Sequence, residues 1–112
     1  MTLNDFRRLA LSLPEAMESE HMGHPDFRVA GKIFATLACP DASFGMVKLS
    51  PLDQEKFVKA APDVFVPVPG YWGRTGATRV HLKKATKTVL KPAMEAAWKR
   101  AASRKSTAKL LD

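Results

Sequence analysis

His21-Met22-Gly23-His24-Pro25-Asp26-Phe27-Arg28-Val29-Ala30-Gly31-Lys32-Ile33-Phe34-Ala35-Thr36-Leu37 is the stretch whose reading decides the fold. Gly23-His24-Pro25-Asp26 carries turn residues, Phe27-Arg28-Val29 is a short strand, and Ala30-Gly31 is a tight connection into a strongly apolar strand over Lys32 to Ala38. Connections this short leave no room for a crossover helix, so neighbouring strands run antiparallel. Upstream, Met17 and Ser19 alternate with Glu18 and Glu20, the pattern of an edge strand over Ala16 to His21. Downstream, Cys39-Pro40-Asp41-Ala42-Ser43 is a turn and Phe44 to Leu49 a fourth strand. The segment reads as a four-stranded antiparallel meander.

Helices flank it. Thr2 caps a first helix, with Asp5 completing an acidic variant of the capping box, and Phe6, Leu9, Ala10 and Leu13 form its buried stripe up to Pro14. Ser50-Pro51-Leu52-Asp53 starts a second helix, running to about Ala61, with Leu52, Phe57 and Ala61 as its apolar side. Phe65-Val66-Pro67-Val68-Pro69 is extended and, with two prolines, belongs at an edge. Gly70, Gly73 and Gly76 space out a loop, and Ala77 to Leu82 alternates as the last strand. A final helix starts near Thr86 or Thr88 with Pro92 in or near its first turn, and Leu90, Met94, Ala97, Trp98 and Ala101 face the core. Strands grouped between helices predict an α+β two-layer domain, an antiparallel sheet with helices packed on one face. It is expected to occupy residues 1–105, with 106–112 a basic, flexible tail.

The chain has 112 residues, which suits one domain with its own core. One cysteine, Cys39, rules out an internal disulfide and fits a reduced compartment; it is expected to be a packed or edge thiol. A signal peptide and a membrane-length apolar run are both missing from the pattern, so a soluble, cytoplasmic monomer is expected. The net charge of +7 is unevenly spread. Residues 1–73 hold seven Lys/Arg against nine Asp/Glu, and residues 74–112 hold eleven against two. Such asymmetry points to a polyanionic partner, or to a solvated basic helix.

Several segments taken together resemble the MmcQ/YjbR family. They are Leu13-Pro14-Glu15-Ala16, His21 with His24 to Val29, Gly31-Lys32-Ile33-Phe34-Ala35, Met46-Val47-Lys48, Pro69-Gly70-Tyr71-Trp72-Gly73-Arg74-Thr75-Gly76-Ala77-Thr78-Arg79-Val80, and Ala96-Ala97-Trp98. The resemblance spans residues 3 to about 102, in order. It implies a fold similar to the frataxin (CyaY) type. It also implies a likeness to the "double-wing" DNA-binding domain of a phage transcription factor, on which members are often labelled DNA-binding.

Two sets of residues are candidates for function. The first would contact nucleic acid: Arg74, Arg79, Lys83 and Lys84 at phosphates, Thr75 beside them, and Tyr71 stacking on a base. Trp72 either stacks likewise or packs over the sheet. DNA is the expected partner, with phosphate contacts dominating. The second set would line a pocket for a small anionic ligand or a protein partner: His24, Asp26, Arg28, Lys32, Lys48 and Trp72. Asp26 and Arg28 sit on the same side of their strand, so a structural ion pair is the alternative for those two. A zinc site on His21 and His24 needs at least a third ligand, for which Asp26 is the only nearby candidate, so no metal and no cofactor is expected. Nothing pairs carboxylates for acid–base work or gives Ser or Cys a base partner, so the chain is expected not to be an enzyme.

Overall fold

A computed structural model describes residues 1–38 and 40–111, with side chains through Ser103. Cys39, Asp112 and the side chains of the expected 106–112 tail lie outside the described residues. The elements are α1 (Leu3–Leu11), β1 (Met17–His21), β2 (His24–Val29), β3 (Lys32–Leu37), β4 (Phe44–Lys48), α2 (Pro51–Ala60), β5 (Phe65–Pro67), α3 (Tyr71–Arg74), β6 (Ala77–His81) and α4 (Lys87–Leu111). The six strands form one antiparallel sheet in the order β1-β2-β3-β4-β6-β5. The fold is α+β, as the grouped strands require.

The meander is built by two-residue hairpins. His21 pairs with His24 and Val29 with Lys32. The loop residues between them all have positive φ: Met22 51°, Gly23 82°, Ala30 53° and Gly31 78°. That conformation matches the strand twist in hairpin turns, and glycine at the second loop position adopts it without strain. The first turn is therefore Met22-Gly23, and His24-Pro25-Asp26 belongs to β2 rather than to the turn. Pro25 has no N–H to give, and pairing with β3 begins only at Asp26, one residue later.

Strand parity then assigns the faces. Phe27, Val29, Ala35, Leu37, Val47, Val80 and Phe65 are buried on one face, against Phe6, Leu9 and Ala10 of α1 and Leu90, Ala93, Met94 and Ala97 of α4. Alternation fails once. The register steps by one residue between Phe27↔Ala35 and Arg28↔Ile33, so Phe34 is extra on β3. Such a bulge lets neighbouring Phe34 and Ala35 both reach the core, each with 0% exposure.

The helices follow their caps. Thr2 accepts from Asp5 N–H, and the Asp5 carboxylate accepts from Thr2 N–H. Those hydrogen bonds hold the Asp5 carboxyl below its ordinary pKa. Ser50 caps α2 with Pro51 at its start. Leu52, however, is 80% exposed, and α2 reaches the core mainly through Phe57, whose ring lies 5.7 Å from that of Phe65. Pro92 lies inside α4, a turn deeper than expected. It is exposed, so the backbone bond it cannot make is lost on the solvent side of the helix. Trp98 is partly buried, and its indole N–H donates to Pro14 O at 2.9 Å, fastening α4 to the turn that follows α1.

Candidate functional site

The other face of the sheet carries the chemistry. On β4 it presents Phe44, Met46 and Lys48, each half-buried, and on β6 it presents Ala77, Arg79 and His81. These pair as Phe44↔His81, Met46↔Arg79 and Lys48↔Ala77. A two-strand strip results, with Lys48 at one end, Arg79 in the middle and His81 at the other.

The Lys48 end is capped by α3. Pro67 and Pro69 keep the chain extended as it arrives, and Gly70 at φ 79° redirects it into a single helical turn. This replaces the loop expected between Gly70 and Gly76. Gly73 is obligatory there, because a Cβ would fall on the Val68 carbonyl oxygen. The Gln54 side-chain amide donates to Gly73 O (2.9 Å), Ala77 O (3.1 Å) and Thr78 Oγ1 (3.1 Å), which ties α2, α3 and β6 together. Two N–H groups shared among three acceptors make these bonds partly bifurcated. The Thr75 hydroxyl donates to Trp72 O at 2.9 Å and closes the turn.

Held this way, Tyr71 and Trp72 point outward, 66% and 62% exposed, with their rings edge-on at 6.1 Å. Trp72 does not pack over the sheet. Its ring instead meets the Lys48 ammonium, 5.7 Å from the centroid, within cation–π range. Lys48, Leu49, Tyr71, Trp72, Thr75, Ala77 and Arg100 line a shallow pocket of about 240 Å³. Burial pushes the Lys48 pKa below its ordinary value, the Arg100 charge pushes the same way, and Asp26 partly offsets both. Two cations thus share a small concavity beside two exposed aromatic rings.

The sequence candidates are distributed unevenly over this surface. Tyr71, Trp72, Thr75 and Lys48 come together. Arg74 is exposed on α3, and Arg79 lies farther along the strip. Lys84 lines a second concavity with Arg79, and Lys83 is exposed in the turn beside it. Lys32 sits at the β2–β3 hairpin and His24 at the β1–β2 hairpin, opposite ends of β2. Asp26 is fully buried, and the Arg28 Nε and Nη2 donate to its two carboxylate oxygens at 2.9 and 3.1 Å. That bond keeps Arg28 firmly protonated, and the pair is a closed structural unit. Among the described residues, no group of three or more His, Cys, Asp or Glu is placed to hold a metal. No helix there is long and apolar enough to cross a membrane. Arg100 is the residue that sequence reading missed: it counts as one more polar position on α4 until the fold carries it to Lys48.

A family model described as YjbR matches residues 11–100. No curated protein matches the chain. Among solved structures, the crystal structure of Deinococcus radiodurans protein DR2400, with family-model domain DUF419, is similar at a TM-score of 0.65 and 17% identity. The alignment covers 87% of this chain and 75% of that one. A likeness at that identity speaks for the fold, and it agrees with the two-layer arrangement described above.

Proposed function

The chain belongs to the YjbR family, and from that premise we propose that it is a non-catalytic nucleic-acid-binding domain with DNA as its ligand. One observation carries the reading: Tyr71 and Trp72 stand exposed beside a pocket lined by both Lys48 and Arg100. Exposed rings offer stacking platforms that every base can use. The neighbouring cations suit phosphates, and an anion between them relieves their mutual repulsion. Arg74 on the same helix and Arg79 farther along the strip extend the contact. The eleven basic residues from 74 onward, against two acidic, favour approach of a polyanion. Phosphate contacts would dominate, with little reading of base sequence.

Binding of labelled duplex and single-stranded DNA at several salt concentrations tests this. With about four phosphates neutralised, log K for duplex DNA falls with log salt at a slope of about −3.6. No binding at low salt, or an unchanged slope in an Arg74→Ala/Arg79→Ala variant, would defeat it.

A second reading rests on the same pocket. At about 240 Å³ it is smaller than a drug-sized site, yet it suits one small anion. A thermal-shift screen of anionic metabolites tests that reading, because a ligand specific to the folded form raises the melting temperature.

A further inference from the structure

The strip formed by β4 and β6 ends in a second concavity, about 270 Å³, lined by Phe44, Asp63, Val66, Arg79, His81 and Lys84. Phe44 and Lys48 are four residues apart on β4, roughly 13 Å along a strand, so this concavity is separate from the Trp72 pocket. Its side chains are organised. The Arg79 guanidinium lies 5.8 Å over the Phe44 ring, and that ring meets the His81 imidazole edge-on at 5.3 Å. The His81 backbone is held by its N–H to Val64 O at 2.8 Å, and Lys84 N–H donates to His81 O at 3.0 Å. Lys84 is thereby placed next to His81 by the turn itself.

Two features of the concavity lack an internal explanation. His81 Nδ1 is a buried polar atom with no hydrogen-bond partner among the described residues. Buried polar atoms normally find partners, so an orphan calls for one. Arg79 and Lys84 form no ion pair among the described residues either, although Asp63 lines the same concavity. Two cations thus border one space, with the His81 ring in its wall and a single carboxylate at hand.

We infer that this concavity is a phosphate site. The Arg79 fork offers parallel N–H groups matched to phosphate oxygens, and the Phe44 ring beneath it limits how far the fork can turn. Lys84 supplies a second positive charge, and the His81 ring in the wall lies close enough to report on the occupant. The phosphate belongs either to a free phosphate monoester or to the backbone of a nucleic-acid strand that also reaches Trp72.

The test follows the His81 ring signals by NMR in the full chain as inorganic phosphate is added at constant ionic strength. A saturable shift is expected, weakened about tenfold in Arg79→Ala. Arg79→Lys keeps the charge without the fork, and it should lose severalfold should Arg79→Ala prove poorly folded. A matching shift with chloride alone, or wild-type phosphate binding in Arg79→Lys and Arg79→Ala alike, overturns the inference. Competition then names the source. Displacement by thymidine monophosphate assigns a free monoester, whereas displacement only by oligothymidine, lost in Trp72→Ala, assigns a strand. Phosphate binding that persists when no oligonucleotide binds would refute the nucleic-acid reading while leaving this site standing.

Discussion

The covered and open faces of the sheet are made by alternate residues of the same strands, yet they follow different rules. On the covered side Val47, Thr78 and Val80 have no exposure, and the only hydroxyl among them is satisfied, donating to Gly76 O at 2.9 Å. On the open side their neighbours Lys48, Arg79 and His81 are half-buried; the two cations meet aromatic rings rather than carboxylates, and His81 Nδ1 has no hydrogen-bond partner among the described residues. One face is closed with respect to hydrogen bonds and packing, and the other is not. The contrast teaches that stability and ligand chemistry are separated here by residue parity. Substitutions on the two faces should therefore have separable effects.

The largest effect belongs to the covered side. Phe34→Ala deletes a fully buried ring at the bulge and is expected to lower stability by about 3–5 kcal/mol. Urea unfolding measures that loss. Oligonucleotide affinity per folded molecule should stay at the wild-type level, and a parallel fall in affinity would break the separation of the faces. Next comes the one place where the open face behaves like the core. Arg28→Ala leaves the buried Asp26 carboxylate without its two donors, and a clear loss of stability, smaller than that of Phe34→Ala, is expected in urea unfolding. Adding Asp26→Ala should recover part of it, because the stranded charge is gone. A double variant as unstable as the sum of the singles would show that the pair is not a closed unit.

Trp72→Ala sharpens the comparison from the other direction. With the ring 62% exposed, the change in stability should stay within about 0.5 kcal/mol. Affinity for oligonucleotides should fall by about 1–3 kcal/mol, the usual worth of one stacked base. Fluorescence anisotropy and urea unfolding on the same sample read both numbers.

The covered face was largely legible in the sequence because burial imposes a period. Alternation of Thr78/Val80 against Arg79/His81, and the stripe of Leu90, Met94 and Ala97, announce their elements without any knowledge of the whole. Phe34 and Ala35 escape that logic, since a bulge places consecutive residues on one side. Helix α3 escapes it too: four residues cannot show a helical period, and glycines at 70, 73 and 76 look like a loop. Leu52 departs from the apolar stripe because the first turn of α2 lies outside the core, a matter of where the helix is set rather than of its sequence. The open-face site was legible only in pieces. Tyr71, Trp72, Thr75 and Lys48 stood out as residues, but Arg100 joins them only because of where α4 crosses the sheet. Phe44 and His81, likewise, acquire meaning only through the β4–β6 register.

Lys48 lies where the two rules meet, so it carries the smallest but most discriminating prediction. Burial and Arg100 both disfavour its charged form, and its folded pKa is below the ordinary 10.5. Between that lowered value and 10.5 the unfolded chain holds more protons than the folded one, so stability should rise with pH across that window. Below the window the ammonium is charged in both states, and its desolvation weighs against folding. Lys48→Met removes the charge while keeping a long apolar stem. It should therefore be at least as stable as the wild type at pH 7, and the rise in stability just below pH 10.5 should flatten. Urea midpoints at pH 7 and pH 10 check both. The same variant should bind oligonucleotides more weakly, since one of the two pocket cations is gone. A residue whose removal costs the fold nothing yet weakens binding is what an open face selected for a ligand should contain. A Lys48→Met protein that is less stable and binds as well as before would instead place Lys48 among the structural residues and dissolve the contrast between the faces.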